Sequence, residues 1–135
     1  MPAFAPPPRL ALHHIALLVE DLHGVETFYR DCLGLEVEKR WSEPDNSDRS
    51  VWLCLDNDSR LMLEKCNPGS PRRGPKGAGW HLLALTISPR DRTHWKEHLT
   101  RKRVPIIEES EFSLYINDPE GNRIALSHWP ESSRK

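Results

Sequence analysis

The same order of segments occurs twice along this chain of 135 residues, and this repeat limits the fold more than any other feature. In each half, an apolar run rich in branched residues precedes a segment with helical spacing and then three short strand-like segments. The first such run, at 12–19, predicts a buried strand. The repeat predicts an α+β fold in which two tandem βαβββ modules form a curled mixed sheet around a pocket. We assign the whole chain, 1–135, to one domain with module one at about 11–66, a connector at 67–79 and module two at about 80–129.

Short polar signals mark the ends of these elements. Asp21 precedes the first helical segment, where its carboxylate can accept backbone N–H bonds as an N-cap. The DPEG segment at 118–121 is typical of a tight turn, because proline fixes φ and glycine accepts a positive φ. The connector is rich in Gly and Pro and carries Arg72, Arg73 and Lys76, which predicts an exposed segment.

The overall charge argues against polyanionic partners. Lys plus Arg number 19 against 20 for Asp plus Glu, so no broad positive field favours nucleic acid or an anionic membrane. No apolar run approaches the roughly 20 residues that a membrane-spanning helix needs. The cysteines Cys32, Cys54 and Cys66 lack the close spacing of zinc-binding or redox motifs, and we expect a cytoplasmic protein.

Two stretches carry a family resemblance. The sequence HHIALLVEDLHGVETFYRDCLGLEV at 13–37 and the sequence YINDPEGNRIAL at 115–126 resemble the opening and the close of the vicinal oxygen chelate superfamily. That superfamily includes glyoxalases, bleomycin-resistance proteins and extradiol dioxygenases. The resemblance implies two βαβββ modules whose sheets curl around a shared pocket, often completed in a homodimer. It also implies four inward positions for a divalent metal, one on the first and one on the last strand of each module.

The residues at these four positions decide what the resemblance implies about a metal. His14 occupies the first position, but Met62, Leu82 and Ala125 occupy the other three. Leucine and alanine side chains cannot ligate, and one imidazole does not hold a catalytic divalent ion against water. The favoured prediction is therefore a protein without a metal cofactor.

One rearrangement would restore a metal site. His81 lies beside Leu82, and a β-bulge before Leu82 would turn the imidazole inward. Glu64 lies two residues after Met62 and hence on the same side of its strand. His14, His81 and Glu64 would then form a two-histidine, one-carboxylate set suited to Fe, Mn, Ni or Zn.

Aromatic and hydroxyl side chains suggest a pocket for a small organic molecule. By strand alternation, Trp80 and Trp129 share the faces of Leu82 and Ala125, and Ser127 is a polar candidate beside them. Tyr115 stands where fosfomycin-resistance members of the superfamily have a tyrosine near the substrate. Alternatively, these rings fill the core or a dimer contact. The predicted ligand-binding residues are His14, Glu64, Trp80, Tyr115, Ser127 and Trp129.

Two functions from different classes remain open at this point. The first is a metal-independent homodimer that binds and sequesters an aromatic or antibiotic-like small molecule and has no catalytic residues. The second is a divalent-metal lyase or dioxygenase that uses His14, His81 and Glu64, with the ion polarising paired substrate oxygens. A third reading is a regulatory or dimerisation module whose pocket is closed.

Overall fold

A computed structural model describes residues 5–72, 74 and 77–132 and shows two four-stranded mixed sheets, one from each half of the chain. The predicted pair of βαβββ modules is confirmed, although the sheets do not close into a barrel. The first sheet has the order β1-β4-β3-β2 and the second the order β5-β8-β7-β6. Module one consists of β1 (His14–Val19), α1 (Leu22–Asp31), β2 (Val37–Ser42), β3 (Asp48–Cys54) and β4 (Arg60–Lys65). Module two consists of β5 (Leu83–Thr86), a 3₁₀ turn (Pro89–Asp91), α2 (Arg92–Arg101), β6 (Glu108–Glu109), β7 (Ser113–Asn117) and β8 (Arg123–Ser127).

Helix α1 covers one side of the first sheet. The Gly24 N–H donates to Asp21 Oδ1 at 3.0 Å, which confirms Asp21 as the N-cap. From there Val25, Phe28 and Tyr29 recur at helical spacing and enter the hydrophobic core. The same core includes Leu114 and other residues of module two, so it joins the helix-facing sides of both sheets.

The pairing of the strands repeats between the modules. In the first sheet, Ala16 of β1 lies opposite Met62 of the parallel strand β4. In the second sheet, Ala84 of β5 lies opposite Ala125 of the parallel strand β8. Met62 and Ala125 therefore hold equivalent positions, which agrees with the alignment made from the sequence.

The DPEG turn of module two fastens the start of helix α1. The Glu120 carboxylate accepts N–H bonds from Glu20 at 2.9 Å and from Asp21 at 2.7 Å, and Arg72 donates to the same carboxylate at 2.8 Å. The hydroxyl of Tyr29 donates to Asp118 Oδ2 at 2.9 Å. Burial is the main cause that raises the pKa of Tyr29, and the neighbouring Asp118 carboxylate adds to it. Arg72 of the connector, which was predicted to be exposed, therefore forms an ion pair with the 118–121 turn. Arg73 and Lys76 lie outside the described residues.

Two strands of module two are short. The alternation argument placed Trp80 and Leu82 on the first strand of this module, but β5 begins only at Leu83. Before β7, only Glu108 and Glu109 form a strand. Pro105 has no N–H to donate, which limits pairing before Glu108. Within the described residues, no helix is long and apolar enough to cross a membrane.

Candidate functional site

The first sheet presents one side to solvent instead of to helix α1. Strand alternation places every second side chain of β1, β3 and β4 on this side. Val51 and Leu63 point the other way and are buried, whereas the apolar Leu18 is 65% exposed. The prediction of a buried first strand was therefore right for only one of its two sides. We name this side the first open face, which is formed by His14, Ala16, Leu18, Trp52, Met62 and Glu64.

Rings gather at one end of the first open face. The imidazole of His14 lies 5.1 Å from the Trp52 ring, between ring centroids, at an interplanar angle of 40°. His13 and His14 share a hydrogen bond between their Nδ1 atoms at 2.9 Å, so one imidazole donates and the other accepts. Met62 pairs directly with Trp52 on the neighbouring strand. The result is an apolar and aromatic surface with a hydrogen-bonding edge at His14.

Charged residues next to this surface are held in pairs. Arg60 donates from Nε and Nη2 to both oxygens of Glu38, at 2.5 and 3.1 Å. This hydrogen bonding lowers the pKa of Glu38, with the positive charge of Arg60 as a further cause. Glu64 forms a longer ion pair with Arg49 at 3.8 Å.

The second sheet has a corresponding side, opposite its helix-facing side, although Ser113 and Ala125 on it are buried. The guanidinium of Arg123 lies over the Tyr115 ring, with Cζ 4.6 Å from the ring centroid, and Nη2 donates to Glu108 at 2.5 Å. The Ser113 hydroxyl donates to Ser127 Oγ at 2.9 Å. Alternation, together with the pairing of Glu108 with Tyr115, assigns all of these side chains to one surface. We name it the second open face, which is formed by Ala84, Thr86, Ser113, Tyr115, Arg123, Ala125 and Ser127.

A cleft of about 450 Å³ lies between the modules, away from the rings of His14, Trp52 and Tyr115. Aliphatic side chains from both modules line most of it, with Trp95 on one wall and Asp56 and Ser59 as polar lining residues. It includes neither His14 nor Tyr115. The predicted pocket between curled sheets is therefore not enclosed by the described residues of a single chain.

A family comparison now agrees with this architecture. The sequence model of the Glyoxalase/Bleomycin resistance protein/Dioxygenase superfamily matches residues 11–126 of this chain. The chain belongs to this superfamily. Among proteins of similar sequence, the glutathione transferase FosA of Serratia marcescens is 25% identical to this chain over 120 residues. The match covers 86% of this chain and 79% of FosA. It is 35% identical over 76 residues to the ethylmalonyl-CoA/methylmalonyl-CoA epimerase of Cereibacter sphaeroides, covering 53% of this chain and 57% of the epimerase.

Solved structures of the superfamily share the fold. Lactoylglutathione lyase from Agrobacterium tumefaciens superposes with a TM-score of 0.66 at 22% identity and covers 93% of this chain and 100% of its own. The fosfomycin resistance protein FosX from Listeria monocytogenes gives a TM-score of 0.66 at 18% identity and covers 87% of this chain and 90% of its own. At these identities the likeness concerns the fold alone.

The four positions at which the resemblance implies a metal offer a poor donor set in this chain. His14 supplies one nitrogen, Met62 a thioether, and Leu82 and Ala125 only hydrocarbon. These residues do not fit Fe, Mn, Ni or Zn, which need several nitrogen or carboxylate ligands. Within residues 5–72, 74 and 77–132, no three His, Cys, Asp or Glu side chains gather as a metal-binding group.

The three residues of the alternative ligand set, His14, His81 and Glu64, do not lie in one place. His81 is exposed and precedes β5, so it is not part of a strand in which a bulge could turn its side chain inward. Glu64 is on the first open face, where it pairs with Arg49. The structure therefore places His14 and Glu64 on one surface and His81 outside the strands.

The remaining predicted ligand-binding residues fall into two groups. Tyr115 and Ser127 lie on the second open face. Trp80 and Trp129 lie beyond the ends of β5 and β8 and are 95% and 72% exposed, so strand alternation does not fix their direction. The sequence analysis missed Arg123, although its position two residues before Ala125 on the same strand already placed it on this face.

Proposed function

We propose that this superfamily member binds and sequesters a small, flat aromatic molecule against the first open face, without a metal. The tilted pair of His14 and Trp52 supports the proposal most directly, because an indole with an imidazole edge stacks a ring and donates or accepts one hydrogen bond. Met62 adds a polarisable thioether beside the indole. The proposed chemistry is burial and orientation of the guest.

We further propose that a second copy of the chain covers the guest. Large apolar side chains remain exposed at both edges of the first sheet, 65% of Leu18 on β1 and 43% of Trp41 on β2. Burial of such a surface is favourable in proportion to its area. In a homodimer, the first open face of one copy would lie opposite the second open face of its partner, and both would line the pocket.

Replacing Leu18 with aspartate is expected to convert the homodimer into a monomer. The substitution puts a charge on an exposed edge strand of the proposed contact, where desolvation is costly. Size-exclusion chromatography with light scattering measures the mass directly. Leu10→Asp is the control, because Leu10 is 99% exposed and lies outside the sheets. A wild-type protein that is monomeric at high concentration would contradict the proposed covering.

Replacing Trp52 with alanine is expected to weaken binding of neutral aromatic probes about tenfold, through the loss of ring stacking. Indole and 2-naphthol are suitable probes, and calorimetry measures their affinity. Trp95→Phe is the control, because Trp95 lies on helix α2 and packs against the core.

Chelation and metal analysis separate this proposal from the metal enzyme. Probe binding that is unchanged after EDTA dialysis supports sequestration. Stoichiometric Fe, Mn, Ni or Zn in protein purified without chelator, lost in His14→Ala, would contradict the proposal. So would a Trp52→Ala variant that binds both probes as tightly as the wild type.

A further inference from the structure

We infer that the guest carries a carboxylate or a similar anionic group, and that Arg123 on the second open face binds it. The inference rests on the proposed function, since it adds a charged group to the aromatic guest of the same pocket. It names a specificity residue outside the four metal positions.

Arg123 has a buried N–H group that donates no hydrogen bond to the described residues. Glu108 accepts from Nη2 only, at 2.5 Å. The Nε atom is buried, and no acceptor reaches it from residues 5–72, 74 and 77–132. A buried guanidinium N–H without an acceptor is unfavourable, so a ligand oxygen at this edge would be stabilised. The Tyr115 ring, 4.6 Å from Cζ, supports the flat side of the guanidinium and leaves its edge for planar acceptors.

The equivalent arginine of module one shows what a fully paired arrangement looks like. Arg60 lies two residues before Met62 on β4, as Arg123 lies two residues before Ala125 on β8. Trp52, which pairs with Met62, corresponds to Tyr115, which pairs with Ala125. The two arginine side chains are equally buried, at 26% and 27% exposure. Glu38 occupies both Nε and Nη2 of Arg60, whereas Glu108 leaves Nε of Arg123 free. Of these two equivalent arginines, only Arg123 has an Nε–H group to which a new carboxylate could supply an acceptor.

Binding at Arg123 would proceed by exchange of one carboxylate for another. Nε and Nη2 lie on the same edge of a guanidinium and together match the two oxygens of a carboxylate. The Glu108 side chain is 61% exposed, so it can return to water when the guest takes its place. The exchange keeps the charge balance of the face and gives Nε its acceptor.

Benzoate and its uncharged counterpart benzamide test the inference on the intact protein. Benzoate is expected to bind about tenfold more tightly than benzamide and to shift the Arg123 Nε–H resonance in nitrogen-15 NMR spectra. Arg123→Gln is expected to remove this preference, because it weakens benzoate binding more than benzamide binding. Glu108→Gln is expected to raise benzoate affinity about two- to fivefold, because it removes a largely exposed competitor. Arg60→Gln and Glu38→Gln are the matched controls from module one and are expected to leave the preference unchanged.

The outcomes distinguish this inference from the proposed function. If both probes bind equally well and Arg123→Gln changes neither, the anionic group is overturned and the aromatic guest stands. If neither aromatic probe binds but acetate shifts the Arg123 Nε–H resonance, the aromatic guest is overturned and anion binding at Arg123 stands. If neither benzoate nor acetate shifts that resonance, anion binding at Arg123 is overturned.

Discussion

Replacing Glu120 with alanine is expected to lower the free energy of unfolding by about 2 kcal/mol, because the carboxylate joins the two modules through several hydrogen bonds. It accepts N–H bonds from Glu20 and Asp21 at the start of helix α1, and it pairs with Arg72 at 2.8 Å. The carboxylate side chain is only 9% exposed, so water replaces it poorly. A negative charge at a helix N-terminus also interacts favourably with the helix dipole. Urea denaturation followed by circular dichroism measures the loss.

Two further variants make the Glu120 result interpretable. Glu120→Gln retains one acceptor oxygen and is expected to lose less stability than Glu120→Ala. Glu111→Ala is the control, because Glu111 is exposed and its carboxylate forms no ion pair within the described part of the chain. Equal stability of Glu120→Ala and the wild type would mean that the core alone holds the modules together.

The order of the elements could be predicted because each depends on local sequence. The capping of helix α1 by Asp21 and the turn at 118–121 are both set by side chains within a few residues of the backbone groups they bind. The repeated register of Ala16 with Met62 and of Ala84 with Ala125 follows from strand alternation. Such features need no knowledge of distant parts of the chain.

The partners of side chains could not be predicted, because they depend on contacts between distant segments. Glu120 binds the start of helix α1, about 100 residues earlier in the sequence, and its other partner is Arg72 from the connector. The exposure of Leu18 could not be predicted from its apolar run either, since a continuous apolar run indicates a strand covered on both sides, whereas one side of β1 is uncovered here. Trp80 was misplaced for a different reason, because the sequence does not mark where β5 begins.

Replacing Arg40 with glutamine is expected to lower the free energy of unfolding by about 3 kcal/mol at neutral pH, because it leaves the Glu26 carboxylate largely unpaired. Arg40 donates to both Glu26 oxygens, at 2.5 and 2.6 Å, and the Glu26 side chain is only 3% exposed. The cost stands at the low end for such pairs, since the Arg40 side chain is 46% exposed. Arg30→Gln is the matched control, because Arg30 contacts the same carboxylate at 3.3 Å from one helical turn away and contributes less.

The expected loss in Arg40→Gln depends on pH in a definite direction. Hydrogen bonding from Arg40 is the largest cause that lowers the pKa of Glu26 below its usual 4.5, while burial opposes the shift. A lowered carboxyl pKa stabilises the folded state above the pKa of the unfolded chain, and this stabilisation is lost as the pH falls through the lower folded pKa. The difference between wild type and variant should therefore be constant near neutrality and shrink below a pH of about 5. Denaturation midpoints measured from pH 7 to pH 3 test this, and a difference that does not change with pH would mean that Arg40 acts through the packing of its alkyl chain instead of its charge.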